Sequence, residues 1–256
     1  TMNMGSFVDK IRPVNVPKDA TPNQVLAPHQ IKILRAVNGS LNWLSSQSRP
    51  DLSAQTSLSQ QSFPTPKIQD LRMANHAVRR VKQNRDLSIT FKTIDPQQLT
   101  LVCHSDAAWA NVGSHTQAGY IVAFCEKSLQ DGKVSKWCPA AWRSYRLPRA
   151  VSSTLAAEAQ ALATATGTVE WLALLMSEIL DGPTPARQCR EMLKKRPPLF
   201  VTDCKSLYDH LVSPSSPTAI EDRRTSIDVI IIRESAKATQ AFVRWVPTAH
   251  MLADSL

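Results

Sequence analysis

An α/β fold, with a mixed five-stranded sheet flanked by helices and preceded by a small, mainly helical module, is what this 256-residue chain should form. Three observations lead there. Residues 28–85 carry apolar side chains at helical spacing, five short stretches of strand composition follow after residue 98, and one long helical periodicity separates the third stretch from the fourth. The resulting order is three strands, helix, strand, two helices, strand, helix. Such a succession implies a mixed sheet with helices packed on its faces.

Residues 1–27 are rich in Pro, Asn and Asp without apolar periodicity and read as an extended arm or the end of a fragment. Ile31, Leu34, Val37, Leu41 and Leu44 then recur at helical spacing, and Arg49-Pro50-Asp51 punctuates before a second helical stretch to Ser62. Pro64 and Pro66 open a third helix, Lys67 to Arg85. Its Leu71, Ala74, Ala77, Val78 and Val81 form one side, and Arg72, His76, Arg79 and Arg80 the other, a basic face able to track a phosphate backbone. Asp86 to Gln98 is an extended connector. These segments divide the chain into 1–27, a helical module over 28–98, and an α/β domain over 99–256.

In the α/β domain the expected strands are Leu99–Cys103, Ala118–Cys125, Trp137–Ser144 (with a bulge at Pro139), Leu199–Val201 and Ala241–Val246. Val151–Leu180 carries Leu155, Leu162, Ala165, Val169, Leu172, Leu175 and Ile179 at helical spacing and reads as one long helix. Gly182–Pro198 is Pro-rich and basic and reads as a loop or insertion. Helices are expected over Ser206–Val212, ended by Pro214 and Pro217, over Ile220–Ala238, and over Thr248–Leu256.

The formal charge of +9 lies mainly in the first 100 residues, which hold thirteen Lys/Arg against six Asp/Glu; the remainder holds seventeen against fifteen. A basic excess favours a polyanion, of which nucleic acid is the commonest soluble kind. Five cysteines, none spaced as CxxC, support neither a zinc ribbon nor a disulfide framework and favour a reducing compartment. No N-terminal leader is recognisable, and the longest apolar run, Val229–Ile232, is far short of a bilayer span of about 20 residues, so no membrane contact is expected. A Gly-rich phosphate loop, HExxH and GxSxG are all missing.

Four acids stand out by position. Asp106 in CHSDAAWAN lies just beyond the first strand, Asp203 in FVTDCKS follows the fourth, Glu158 in SSTLAAEAQAL is the only acid between Asp131 and Glu170, and Asp254 sits in the final WVPTAHMLADSL. Each alone is as well explained as a helix cap or a solvated side chain. Carboxylates delivered together to one end of a sheet repel unless cations lie between them, and all-oxygen donor sets select hard ions such as magnesium. Two such ions about 3.5 to 4 Å apart are a known device for in-line attack on a phosphodiester.

The words HSDAAWA, AGYIVAF, AAWRSYRLPRAVSSTLAAEAQAL, LFVTDCKSL and WVPTAHMLAD, in this order across nearly all of residues 99–256, resemble the ribonuclease H domain of copia-type LTR-retrotransposon polyproteins. Upstream, VNGSLNWLSSQSRPDLSAQTSLSQ and the basic helix resemble the reverse transcriptase thumb or connection segment of the same polyproteins. The resemblance implies a ribonuclease H-like sheet, with Asp106, Glu158, Asp203 and Asp254 as the carboxylates holding two Mg2+ or Mn2+ ions. It implies endonucleolytic cleavage of the RNA strand of an RNA/DNA hybrid, leaving a 3′-hydroxyl and a 5′-phosphate. It also implies the polymerase portion of the same polyprotein as a partner and a place in a cytoplasmic retroelement particle or the nucleus. The YxDD-type polymerase motif is missing, so DNA synthesis by this chain alone is not expected.

Other residues carry secondary expectations. His250, four residues before Asp254, would share a helical face with it, and its resemblance to a His of retroviral relatives implies help in the reaction or in product release, against a plain surface His. Asp228 in TSIDVIIIRES is expected in a structural salt bridge, and Asp209 in solvent. Trp142, Arg143, Tyr145, Arg146 and Arg149, following Lys133, Lys136 and Trp137, interleave aromatic and basic side chains and form the best substrate-contact surface; Arg72, Arg79 and Arg80 would add a second. Ser105, Ser152, Ser153 and Thr202 are near enough in sequence to donate hydrogen bonds at the site. Two competing readings are a catalytically inactive nucleic-acid-binding remnant of a reverse transcriptase and a DNA-cutting integrase- or transposase-like relative.

Overall fold

The computed structural model describes residues 1–63, 65–112, 115–183, 185–214 and 220–256, without the side chains of 109–112. Pro64, read above as opening a helix, and Pro217, read as helping to end one, lie outside the described residues. The chain divides into two compact units. One holds residues 1–90 with 143–145 and 256, the other 91–142 with 146–255.

The first unit is helical: α1 (Gly5–Val8), α2 (Pro28–Ser48), α3 (Ser53–Gln61) and α4 (Ile68–Gln83). Proline opens α2, where its missing N–H costs nothing, and the Gln30 side chain accepts the Ala27 N–H at 2.9 Å. The Asp70 carboxylate closes the start of α4 by accepting the Lys67 N–H at 2.6 Å. Leu71, Ala74, Ala77, Val78 and Val81 are buried, while Arg72, His76, Arg79 and Arg80 are exposed, as the helical spacing requires. Residues 1–27 hold little regular structure beyond α1, yet Val8, Ile11, Val14 and Leu26 join the same apolar core. Asn75 on α4 fastens this stretch by exchanging two hydrogen bonds of 2.7 Å with the backbone of Val14.

Arg49, which sequence marks only as punctuation, is 2% exposed. Its Nε and Nη2 donate to the two carboxylate oxygens of Asp51 at 2.8 and 2.9 Å, and Nη1 donates to the Asn84 carbonyl at 3.0 Å. A planar fork of fixed donors suits this arrangement as a lysine would not. Arg49→Met should therefore lower the stability of this unit by about 2 kcal/mol, read as a drop in the urea midpoint, because a buried charge-assisted network loses its centre.

The second unit contains the sheet: β1 (Leu99–Val112), β2 (His115–Glu126), β3 (Trp137–Arg146), β4 (Leu199–Thr202) and β5 (Phe242–Trp245), ordered β3-β2-β1-β4-β5. β1 pairs antiparallel with β2 and parallel with β4, and β4 pairs parallel with β5, so the sheet is mixed. The expected architecture, a mixed five-stranded sheet with helices on its faces, is the one observed. LFVT of β4 is buried throughout, as a parallel strand covered on both faces should be. Helices α5 (Thr154–Asp181), α6 (Cys189–Lys194), α7 (Lys205–Val212) and α8 (Arg223–Thr239) complete the unit, with α5 against β1, β2 and α8. Every residue from Ala156 to Leu162 is buried, and the alanines among them bring the helix close to the sheet. α5 ends at Gly182, whose φ of 91° suits glycine.

Three local expectations are corrected. β1 runs to Val112 rather than stopping at Cys103, because β2 extends the ladder past residues of low strand propensity such as Asp106 and Ala108. Gly182–Pro198 is not a bare loop: it holds a 3₁₀ turn at Ala186–Gln188 and α6, whose Leu193 is buried. Thr248–Leu256 is no α-helix but two 3₁₀ turns, Thr248–His250 and Leu252–Ser255, separated at Met251, whose extended backbone breaks the run. Among the described residues, no helix is long and apolar enough to cross a membrane.

Candidate metal centre

Three elements deliver three carboxylates to one place. Asp106 lies inside β1, opposite Gly119 of β2. Glu158 lies on the buried face of α5, whose start is set by the Ser153 side chain accepting the Ala156 N–H at 3.1 Å. Asp203 follows β4, beside β1 in parallel register. One carboxylate oxygen from each lies within 4.8 Å of the others. A single backbone donor links the first two: the Ala107 N–H points at Asp106 Oδ1 (2.7 Å) and Glu158 Oε1 (3.1 Å).

Such convergence is costly. Glu158 is 3% exposed, and its Oε2 is buried without a hydrogen-bond partner among the described residues. Burial first, then the Asp106 charge, pushes the Glu158 carboxyl up to about 9. Asp106 is raised too, by burial first, with the charges of Asp203 and Asp254 adding to it and hydrogen bonding from Glu158 and the Ala107 N–H opposing. A divalent cation would relieve both. The donor set is all oxygen, one donor is buried and unpaired, and the raised proton affinities signal missing positive charge, so these residues fit a hard divalent ion.

Asp254 is exposed on the last 3₁₀ turn, near enough for its charge to act on Asp106 but outside the three-residue group. His250 is exposed on the preceding turn, and the break at Met251 removes the shared helical face expected for it and Asp254. Asp228, 6% exposed, accepts from the Arg149 guanidinium at both carboxylate oxygens at 2.6 Å, in the salt bridge expected of it. Asp209 is exposed and pairs with Lys205 on the surface. Ser153 caps α5, Thr202 Oγ1 accepts the Cys204 N–H at 3.1 Å, Ser152 is exposed and Ser105 is fully buried.

Of the β3 surface, Arg143 and Arg146 are exposed, Trp142 is half-buried and Tyr145 is buried, with the Arg143 guanidinium 4.8 Å from the Tyr145 ring centre. Two contacts on Asp203 escaped the sequence reading. Thr248 Oγ1 donates to Asp203 Oδ2 at 2.6 Å, and the Trp245 indole N–H donates to the Asp203 carbonyl at 2.8 Å. Both lie in WVPTAHMLAD, but nothing in its spacing marks them.

No protein-family model matches the chain, and no curated protein matches it in sequence. Solved structures that resemble it are ribonuclease H domains. The N-terminal RNase H domain of a Mycobacterium tuberculosis protein is 15% identical, with 62% of this chain and 90% of that one covered at a TM-score of 0.38. RNase H1 of the halophilic archaeon Halobacterium salinarum is 14% identical over 61% and 93%, also at 0.38. A foamy viral protease-reverse transcriptase in complex with RNA/DNA hybrid is 9% identical over 69% of this chain and 24% of that one, at 0.35.

The raised Glu158 carboxyl has a measurable consequence. Without metal, the folded protein holds a proton that the unfolded chain releases between pH 4.5 and about 9, so metal-free stability should fall as pH rises through that window. Glu158→Gln cannot ionise. In EDTA, the difference in melting temperature between about pH 5.5 and about pH 8.5 should shrink in this variant relative to the unsubstituted chain.

Proposed function

We propose that the chain is a ribonuclease H that hydrolyses the RNA strand of RNA/DNA hybrids, and that it derives from a copia-type retroelement polyprotein, with residues 28–98 its thumb or connection segment. The observation that carries this reading is the meeting of Asp106, Glu158 and Asp203, from a central strand, a buried helix and a strand end, within 4.8 Å. Asp106, Glu158 and Asp203, joined by Asp254 from the last turn, would hold two Mg2+ or Mn2+ ions. Bound there, such ions would activate water and stabilise the departing oxygen. The water oxygen would bond to phosphorus as the P–O3′ bond breaks, its proton going to solvent and one from solvent to O3′, leaving a 3′-hydroxyl and a 5′-phosphate.

The residues around the carboxylates contribute order. The Ala107 N–H keeps Asp106 and Glu158 oriented together, and the dense Ala-rich start of α5 excludes water from one side. Exposed Arg143 and Arg146 on β3 would meet phosphates and sugar edges of the hybrid, whose wide, shallow groove offers 2′-hydroxyls and no readable base code. The Arg72, Arg79 and Arg80 face of α4 would add a separate phosphate contact. His250 would assist product release from its exposed turn. Recognition of this kind is electrostatic and tolerant of sequence.

Incubation of the purified chain with labelled hybrid, duplex DNA and duplex RNA, with magnesium or EDTA, tests this. Hybrid cleavage alone, lost in EDTA, is expected; cleavage of duplex DNA would favour an integrase-like enzyme, and binding without cleavage an inactive remnant. Asp106→Asn should lower hybrid cleavage by about a thousandfold, equivalent to about 4 kcal/mol of transition-state stabilisation. Arg143→Ala with Arg146→Ala should instead raise KM with little change in kcat, and reduce the slope of log affinity against log salt by about one for each arginine.

A further inference from the structure

The three clustered carboxylates are supported unequally. Asp106 is part of a strand paired on both sides, and Glu158 is packed into a buried helix. Asp203, a half-exposed residue, lies one position beyond the last residue of β4. Free rotation of its carboxylate would cost affinity for any cation at the site, since each rotamer abandoned on binding is entropy lost.

The segment after β5 supplies what the backbone does not. Parallel pairing sets Trp245 beside Thr202, and the ladder continues as the Val246 N–H donates to the Thr202 carbonyl at 3.0 Å. The end of β5 therefore lies alongside the turn that carries Asp203. The Trp245 indole N–H then fixes the Asp203 main chain at its carbonyl. Pro247 directs the chain into a 3₁₀ turn, closed by the His250 N–H to the Pro247 carbonyl (2.8 Å) and the Met251 N–H to the Thr248 carbonyl (2.9 Å). That turn holds the Thr248 hydroxyl 2.6 Å from Asp203 Oδ2. An ionised carboxylate only accepts, so the hydroxyl must be the donor, and it occupies one oxygen while leaving Oδ1 for another task.

The geometry points to Thr248 as a positioning residue that holds the Asp203 carboxylate in its metal-binding orientation. This rests on the nuclease reading above. Partners of this kind, hydrogen-bonded to a ligand rather than to the ion, typically set metal affinity by tenfold or more when removed. Thr248 is exposed, so replacing it should leave the core intact.

Calorimetric titration of the full chain with Mn2+, beside hybrid cleavage at limiting and saturating Mn2+, tests the role. Thr248→Val, which keeps the shape and loses the hydroxyl, should weaken Mn2+ binding about tenfold. It should lower kcat most at limiting metal and leave KM for hybrid unchanged. Thr248→Ser should restore both. Thr248→Ala serves the same comparison should valine disturb the turn. Unchanged Mn2+ affinity in the variants that lack the hydroxyl, or a serine variant as impaired as valine, overturns the role of Thr248 while the nuclease assignment stands. Failure of the unsubstituted chain to bind Mn2+ overturns both together.

Discussion

Three carboxylates within a few ångströms of one another, one of them almost wholly buried, are the constraint on which the second unit turns. Like charges at this separation in a partly desolvated place repel by several kcal/mol unless a proton or a cation intervenes. The fold accepts this at the junction of β1, α5 and the end of β4, where the Ala-rich helix face leaves no room for the acid to escape to solvent. A structure selected for stability alone would fill the position of Glu158 with an apolar side chain. The carboxylate kept there, with one oxygen unpaired among the described residues, is the arrangement that a divalent ion would turn from a burden into a binding site.

The sheet order is what makes the meeting geometrically available. β1 is central, antiparallel to β2 and parallel to β4, so the side of the sheet that receives Asp106 also receives the chain as it leaves β4 at Asp203. The crossover from β3 to β4 runs through α5, which lays Glu158 across β1. Each acid thus comes from a different kind of support, and their proximity follows from topology, since they are far apart in sequence.

Much of this was legible in advance. The long periodicity of α5, the all-apolar LFV of β4 and the two-sided character of α4 each come from patterns whose physical cause is burial on a defined face, so their positions agree with the structure to within a few residues. The failures have equally definite causes. β1 extends through Asp106 because pairing with β2 outweighs the poor strand propensity of Asp and Ala, a tertiary effect that no local pattern reports. The terminal segment lost its expected helix because it is short and breaks at Met251, and its buried Met251 and Ala253, two residues apart, do not follow helical spacing. α6 was hidden by flanking prolines. Arg49 reads as loop punctuation because a buried arginine is visible only once its partners Asp51 and Asn84 have been brought around it.

The basic residues sort themselves by a similar logic. Arg149 belongs to the aromatic-basic run in sequence, but in space it is committed to α8 through Asp228, and with the Gln160 amide turned to offer its oxygen, its Nε also donates into α5 at 2.7 Å. A guanidinium so engaged fixes the approach to the N-terminal half of α5, and hence the position of Glu158, more than it offers a free charge to a ligand. On the edge strand β3 the side-chain period of two sets Arg143 on the same face as the buried Tyr145, over whose ring its guanidinium lies at 4.8 Å, and Arg146 on the opposite face; both arginines are exposed. Proximity in sequence made these arginines look like one surface; the pairing of Arg149 with a buried acid sets it apart from the exposed Arg143 and Arg146.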